Sequence, residues 1–316
     1  MGSAEAESGE LAKVEDFLRS KLTPAFAERS AVAEALANGY LKALRLFDAL
    51  NILEGWVARE PQNPAAYSLR ARVWNQVRTF GRAAEDFETA LRLDPDRDAD
   101  RLGLGMALIE VSRYEDAIPH LERLRATDPS NPDIAVYAAF ALDRVGREDE
   151  AVRILNDVLA RDPDHIAALI GHARVDLETG READAERYAR RVLASTPNHR
   201  TAYHILHQAL VSLGRVEDAR VAKARLVELD DLLVRYYDLA NRKIPQKPND
   251  PNLICQLGDV LVALGQTRQA EGWYLNAVRI APKYAPAHRS LAAYYAKAGD
   301  EEKAAEHRQL AESAPP

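Results

Sequence analysis

Residues 132–165 read PDIAVYAAFALDRVGREDEAVRILNDVLARDPDH, and the fold is decided here. Pro132 suits the first turn of a helix, where its missing N–H would have no partner in any case. A first helix follows to about Val145. Gly146 can take the left-handed conformation that ends a helix. A second helix then places Ala151, Leu155 and Val158 at i, i+4 and i+7, one apolar face. Pro163 stops it.

The same punctuation runs outward in both directions. Prolines fall at Pro61, Pro95, Pro129, Pro163 and Pro197, each 34 residues apart. Alanines keep that step at Ala49, Ala83, Ala117, Ala151, Ala185 and Ala219. The register then jumps by 51, to Ala270 and Pro282, and resumes at 34 with Ala304 and Pro316. This divides the chain into units at 30–63, 64–97, 98–131, 132–165, 166–199, 200–233, 251–284 and 285–316. The recurring alanine lets the two helices of a unit approach closely. Glycine returns at the first helix end in Gly180, Gly214, Gly265 and Gly299, whereas the first unit has Leu44 there.

Composition narrows the function. The chain has 316 residues, 47% of them hydrophobic, enough for a sizeable core. Its net charge of −7, from 42 basic and 49 acidic residues well mixed along the chain, disfavours nucleic acid, which needs a basic stripe. It also disfavours an anionic membrane surface. A single cysteine, Cys255, excludes an internal disulfide and a cysteine metal cluster. No run reaches the roughly 18 apolar residues of a membrane helix, so direct membrane insertion is not expected. Met1-Gly2-Ser3 reads as a remnant of cloning. The compartment stays open between cytoplasm and a periplasm-facing position behind an anchor. Abundant arginine and alanine fit a GC-rich bacterial genome.

These units resemble the tetratricopeptide repeat (TPR) family. Its eighth residue is small, read here at Ala37, Ala71, Gly105, Ala139, Ala173 and Ala292, with His207 and Gly258 in the sixth and seventh units. Its twenty-fourth is large and apolar, read at Leu53, Phe87, Leu121, Leu155 and Tyr274, with Ala189, Lys223 and Arg308 as departures. The resemblance covers about nine tenths of the chain. It implies an all-α, right-handed α-solenoid of eight TPR-type helical hairpins, with first helices lining a concave groove. Residues 1–29 are read as tag remnant and capping helix, with a helix possible over 9–22. Six contiguous repeats span 30–233, a helix extension and linker 234–250, and two further repeats 251–316. Asp231 replaces the terminating proline, so the sixth repeat's second helix is extended, with an apolar face kept through Ala222, Leu226, Leu229, Leu233, Tyr236 or Tyr237, and Ala240 to about Arg242. Its apolar strip should be covered by the last two repeats. Residues 244–250, with two prolines, are expected to form a loop.

The resemblance assigns a groove whose centre is Leu102, Met106, Val136, Tyr137, Phe140 and Ile170. Its flanks are Ser68, Arg72, Asn75, Gln76, Arg144, Arg174, His204 and Gln208. Val136 and Tyr137 serve equally well as packing between neighbouring helices. The family's Lys/Asn clamp for chaperone tails is not reproduced by Ser68, Arg72, Ala99, Gly103, Val136 and Phe140. An arginine-flanked apolar strip suits an extended peptide or a helix with acidic and apolar residues.

Other chemistry lacks its full residue sets in this sequence. Gly103-Leu104-Gly105 lacks the strand and third glycine of a phosphate loop, and reads as close helix packing. His204 and His207 are one turn apart, with His172 a repeat earlier, but no third ligand type completes a metal set. Cys255 falls at a groove-facing position and has no activating base nearby. Neither catalytic residues, metal nor cofactor are expected. The reading is a non-enzymatic scaffold for a protein or peptide ligand. Its rivals are a self-assembling module that forms homo-oligomers through the extended helix, and the binding portion of a larger membrane-anchored or enzymatic protein.

Overall fold

A computed structural model of the chain describes residues 30–42 and 45–313. The helix expected over 9–22 and the position of Leu44 lie outside the described residues. Among the described residues every regular element is a helix and none is a strand. No helix among them is long and apolar enough to cross a membrane.

Two compact units meet inside one helix, the first running to Gly171 and the second from His172. The first unit holds α1 (Ser30–Lys42), α2 (Leu46–Arg59), α3 (Pro64–Gln76), α4 (Phe80–Leu93), α5 (Asp98–Glu110), α6 (Tyr114–Thr127), α7 (Pro132–Arg144) and α8 (Glu148–Arg161). Helix α9 (Ile166–Glu178) carries the boundary. The second unit continues with α10 (Glu182–Ser195), α11 (Arg200–Ser212), α12 (Val216–Asp238), α13 (Ile244–Gln246), α14 (Pro251–Ala263), α15 (Thr267–Ile280), α16 (Ala285–Ala298) and α17 (Glu301–Glu312). First helices start at 64, 98, 132, 166 and 200, and second helices at 46, 80, 114, 148, 182 and 216. The fold is an all-α solenoid class in which each unit stacks such hairpins.

Local chemistry explains the boundaries. Pro64, Pro132 and Pro251 stand in first turns, each after a capping side chain. Asn63 accepts from the Ala65 N–H at 3.0 Å, Asn131 from Asp133 at 3.1 Å, and Asp250 from Asn252 at 3.0 Å. Gly146 ends α7 with φ 79°, but Arg78 and Ser112 hold the matching left-handed place after α3 and α5 at φ 59° and 61°. Closing these hairpins therefore does not depend on glycine, although a side chain there is strained.

The core follows the repeat register. Ala49, Ala83, Ala117, Ala151, Ala185, Ala219, Ala270 and Ala304 are all buried, and Leu53, Phe87, Leu121, Leu155 and Tyr274 fill the space beside them. Arg70 grips Asp86 through two 2.7 Å hydrogen bonds, tying α3 to α4. Buried Asp100 accepts from Ser68 and from Arg97, joining α5 to α3.

Helix α12 confirms the extension but corrects its end. After Asp238 the chain makes a π-helical turn over Leu239–Lys243 and then α13, so 244–246 are helical rather than loop. Pro245 sits in the first turn of α13, where its absent N–H costs nothing. The wider π turn absorbs the change of path. Leu239 is buried with Ile254, Leu257 and Leu261 of α14, and Leu232, Tyr236, Ala240 and Ile244 pack against that cluster. Most of the extension's apolar strip is thus covered within the second unit, leaving Tyr237 exposed.

His172 yields a prediction. It is 3% exposed, its Nε2 has no hydrogen-bond partner, and its ring stacks on Tyr188 at 4.9 Å. Burial holds it below the ordinary imidazole value, opposed only by Asp176, and burial lowers His120, His199 and His307 in the same direction. The unfolded chain therefore takes up protons first. Stability should be complete above about pH 6.5, the free imidazole value, and drain away as pH falls toward the depressed native values. The melting midpoint should drop between about pH 7 and pH 5, and His172→Phe should flatten part of that slope. A midpoint constant across this window would contradict burial of neutral imidazole.

Candidate functional site

The first helices of the first unit build the candidate face. On α5, a Cβ added at Gly103 would lie 2.5 Å from the Phe87 ring of α4, and one at Gly105 would lie 2.9 Å from Leu121 of α6. Helix α5 is therefore wedged between α4 and α6 at backbone contact, and the glycines belong to packing. Leu102 and Met106, one turn apart, occupy the arc between the two glycines, while Leu104 and Leu108 on the opposite side are buried. Both Leu102 and Met106 are half-buried.

Helix α7 supplies Val136, Tyr137, Phe140 and Arg144 on one face. Phe140 meets Tyr114 of α6 edge-on, with ring centroids 6.0 Å apart at 72°. The Arg144 guanidinium lies 5.6 Å from the Phe140 ring centre, a cation–π contact that also orients the arginine. Sequence reasoning missed Tyr114. Its signal was the aromatic that opens the second helix in two successive units, Phe80 and Tyr114, which the alanine–proline register does not use.

Leu102, Val136 and Tyr137 pack against the core cluster of the first unit, so part of their surface serves stacking. The Tyr137 phenol is raised above its usual range by burial first, then by Asp133 and Glu110. Phe140, Met106 and Ile170 are also half-buried, and Arg72 stands exposed on α3. Ser68, read as a groove flank, is instead buried in its hydrogen bond to Asp100. Arg174, His204 and Gln208 belong to the second unit: Arg174 is half-buried on α9, and the other two are exposed on α11.

The remaining candidates are engaged elsewhere. His207 Nδ1 lies 3.0 Å from the Ala219 carbonyl and donates to it, while His204 points to solvent and His172 is buried. Cys255 does not face a groove. It is 4% exposed in the core of the second unit, with Sγ 3.9 Å from Ser290 Oγ of α16. Burial, aided by Asp259, pushes its thiol up to about 11, the opposite of activation. The physical reason is the stacking of α16 on α14, which sets Ser290 against the thiol and closes the surface there.

Models described as "Tetratricopeptide repeat" match residues 34–98, 78–135, 108–175, 145–210 and 251–284, well over half of the chain. The chain belongs to the tetratricopeptide repeat family. Among solved structures, this TPR chain is similar to YrrB, "a TPR protein with an unusual peptide-binding site", at 19% identity and TM-score 0.52, covering 60% of this chain and 95% of that one. It is also similar to PilW, a "widely conserved type IV pilus biogenesis factor", at 20% identity and TM-score 0.54, covering 62% and 91%. At these identities the likeness concerns the TPR fold alone. A comparison with curated proteins finds no match.

Proposed function

We propose that this TPR protein is a non-enzymatic scaffold that binds a peptide or helix on the first-helix face of its first unit. The observation that carries the reading is Phe140: a half-buried aromatic on a first helix, held edge-on by Tyr114 and flanked by Arg144. A protein that only needed to stack its helices would gain more from burying that ring, since full burial of such a side chain contributes about 1.5–3 kcal/mol. Met106 on the neighbouring first helix adds an adaptable apolar contact. Exposed Arg72 favours a ligand that mixes apolar and acidic residues, while Arg144 is held by Asp143 at 3.2 Å. The solved peptide-binding relative is consistent with the same use of the fold.

A photo-crosslinking phenylalanine analogue at position 106 or 140 should capture the partner, and the same analogue at exposed Glu85 on α4 should not. Phe140→Asp should keep its helical circular dichroism and weaken that partner's binding by about 100-fold or more, the scale of a central aromatic anchor. Equal binding by the variant would place the site elsewhere.

A second reading is self-association through α12. Val234 and Tyr237 are 69% and 58% exposed on its far end. Light scattering separates the two: concentration-dependent dimers lost on Tyr237→Glu would favour self-association.

A further inference from the structure

The second unit holds a cleft away from the first-unit face. It has a volume of about 650 Å³ and lies among the α10–α11 connection (Pro197, Asn198), the α14–α15 turn (Leu264, Arg268) and the end of α16 (Tyr294, Lys297). The walls are pinned rather than merely adjacent. Asn198 donates its side-chain N–H to the Ala263 carbonyl at 2.9 Å and accepts from the Arg225 guanidinium at 2.6 Å. Gly265 permits this approach, since a Cβ there would come within 3.1 Å of the Asn198 amide nitrogen.

The protein carries a net charge of −7, yet Arg268 and Lys297 line the cleft and no carboxylate does. Several arginines elsewhere in the unit are paired with carboxylates: Arg181 with Asp176, Arg200 with Asp230, and Arg215 with Glu186. Arg268 and Lys297 have no ion-pair partner among the described residues. The carboxylate one turn along α15, Glu271, is occupied by the Tyr294 and Tyr295 hydroxyls at 2.9 and 2.8 Å. Pro197 and Leu264 add apolar surface to the same lining.

We propose that this cleft is a second ligand site, one that takes an acidic segment of a partner protein. A carboxylate of the segment seats between Arg268 and Lys297, and its neighbouring apolar side chains lie against Pro197 and Leu264. A cleft lined by two cations and no carboxylate favours a bound anion, because charged hydrogen bonds to arginine and lysine are the stronger kind. The site is built wholly within the second unit and does not rest on the groove of the first.

The test uses the full chain and a fluorescein-labelled octapeptide of alternating leucine and glutamate, followed by anisotropy. The acidic probe should bind, and the same peptide with lysine for glutamate should not. Arg268→Glu with Lys297→Glu should weaken binding by at least about tenfold, equivalent to 1.4 kcal/mol. The milder Arg268→Gln with Lys297→Gln should move it in the same direction, with circular dichroism unchanged in both. Each titration is also run in the Phe140→Asp background, where the first-unit face no longer holds an acidic and apolar ligand, and binding that depends on Arg268 and Lys297 should persist there. Failure of the acidic probe to bind overturns the proposal, as does equal binding of the basic probe. Indifference to the charge reversals also overturns it, and so does displacement of the probe by free glutamate as well as by unlabelled peptide, which marks a simple anion site. Complete loss of binding in Phe140→Asp would assign the probe to the first unit and equally remove the second site.

Discussion

Trp56→Ala should destabilise the start of the solenoid by about 3–5 kcal/mol, the cost of deleting a buried tryptophan. Trp56 is 1% exposed and packs within a cluster formed by Ala33, Ala37 and Tyr40 of α1, Leu50 and Leu53 of α2, and Ala66, Leu69 and Val73 of α3. Its indole N–H donates to Glu60 at 3.1 Å, and Glu60 in turn accepts from Asn63 at 2.8 Å, so the truncation also loosens the turn into α3. Stacked repeats are stabilised by neighbours, and the damage should stay local. Hydrogen exchange should accelerate over residues 30–76 and remain unchanged from α14 onward. A uniform rise along the whole chain would contradict the picture of separable stacked units.

Gly103→Ala is the second large effect. The new methyl would stand 2.5 Å from the Phe87 ring, which is itself 2% exposed and has nowhere to turn. Overpacking of this kind costs about 1–3 kcal/mol, and this distance places it at the upper end. Because the clash involves one named side chain, Phe87→Leu should recover part of the loss, and the two substitutions should be non-additive by about 1 kcal/mol or more. Thermal melts of the single and double variants give the coupling directly. Strict additivity would mean that α5 is not in contact with α4 at this point.

The architecture was legible because the physics repeats. One alanine where helices touch, one large residue beside it and one proline at the helix end recur in register, and the helices of the structure start at the same 34-residue step. The departures were equally readable: Lys223 and Arg308, at places that are apolar elsewhere, are both exposed. What failed was local and had a tertiary cause. Pro245 argued for a loop, but a proline in a first turn obstructs nothing, and a π turn ahead of it kept the path helical. Cys255 and Ser68 were assigned to an open face by repeat position. Position alone does not register that α16 sets Ser290 against Cys255, or that Asp100 reaches back to Ser68. The candidate face was legible in its residue types, though not in its geometry. The edge-on contact of Tyr114 with Phe140 depends on how α6 lies against α7, which no spacing within one helix encodes. The cleft around Arg268 and Lys297 had no sequence signal, because its lining comes from three separate connections and helix ends that only the stacking brings together.

The central claim is that Phe140 anchors a peptide on the first-helix face of the first unit. Its most direct measurement is a titration of peptides selected from a random library on the immobilised wild-type chain, repeated on Phe140→Asp and on Arg268→Glu with Lys297→Glu. The account predicts a class of selected peptides, rich in apolar and acidic residues, that binds the wild type and the second-unit variant alike but loses about 100-fold or more in affinity on Phe140→Asp. Selected peptides that all bind Phe140→Asp as tightly as the wild type would contradict it.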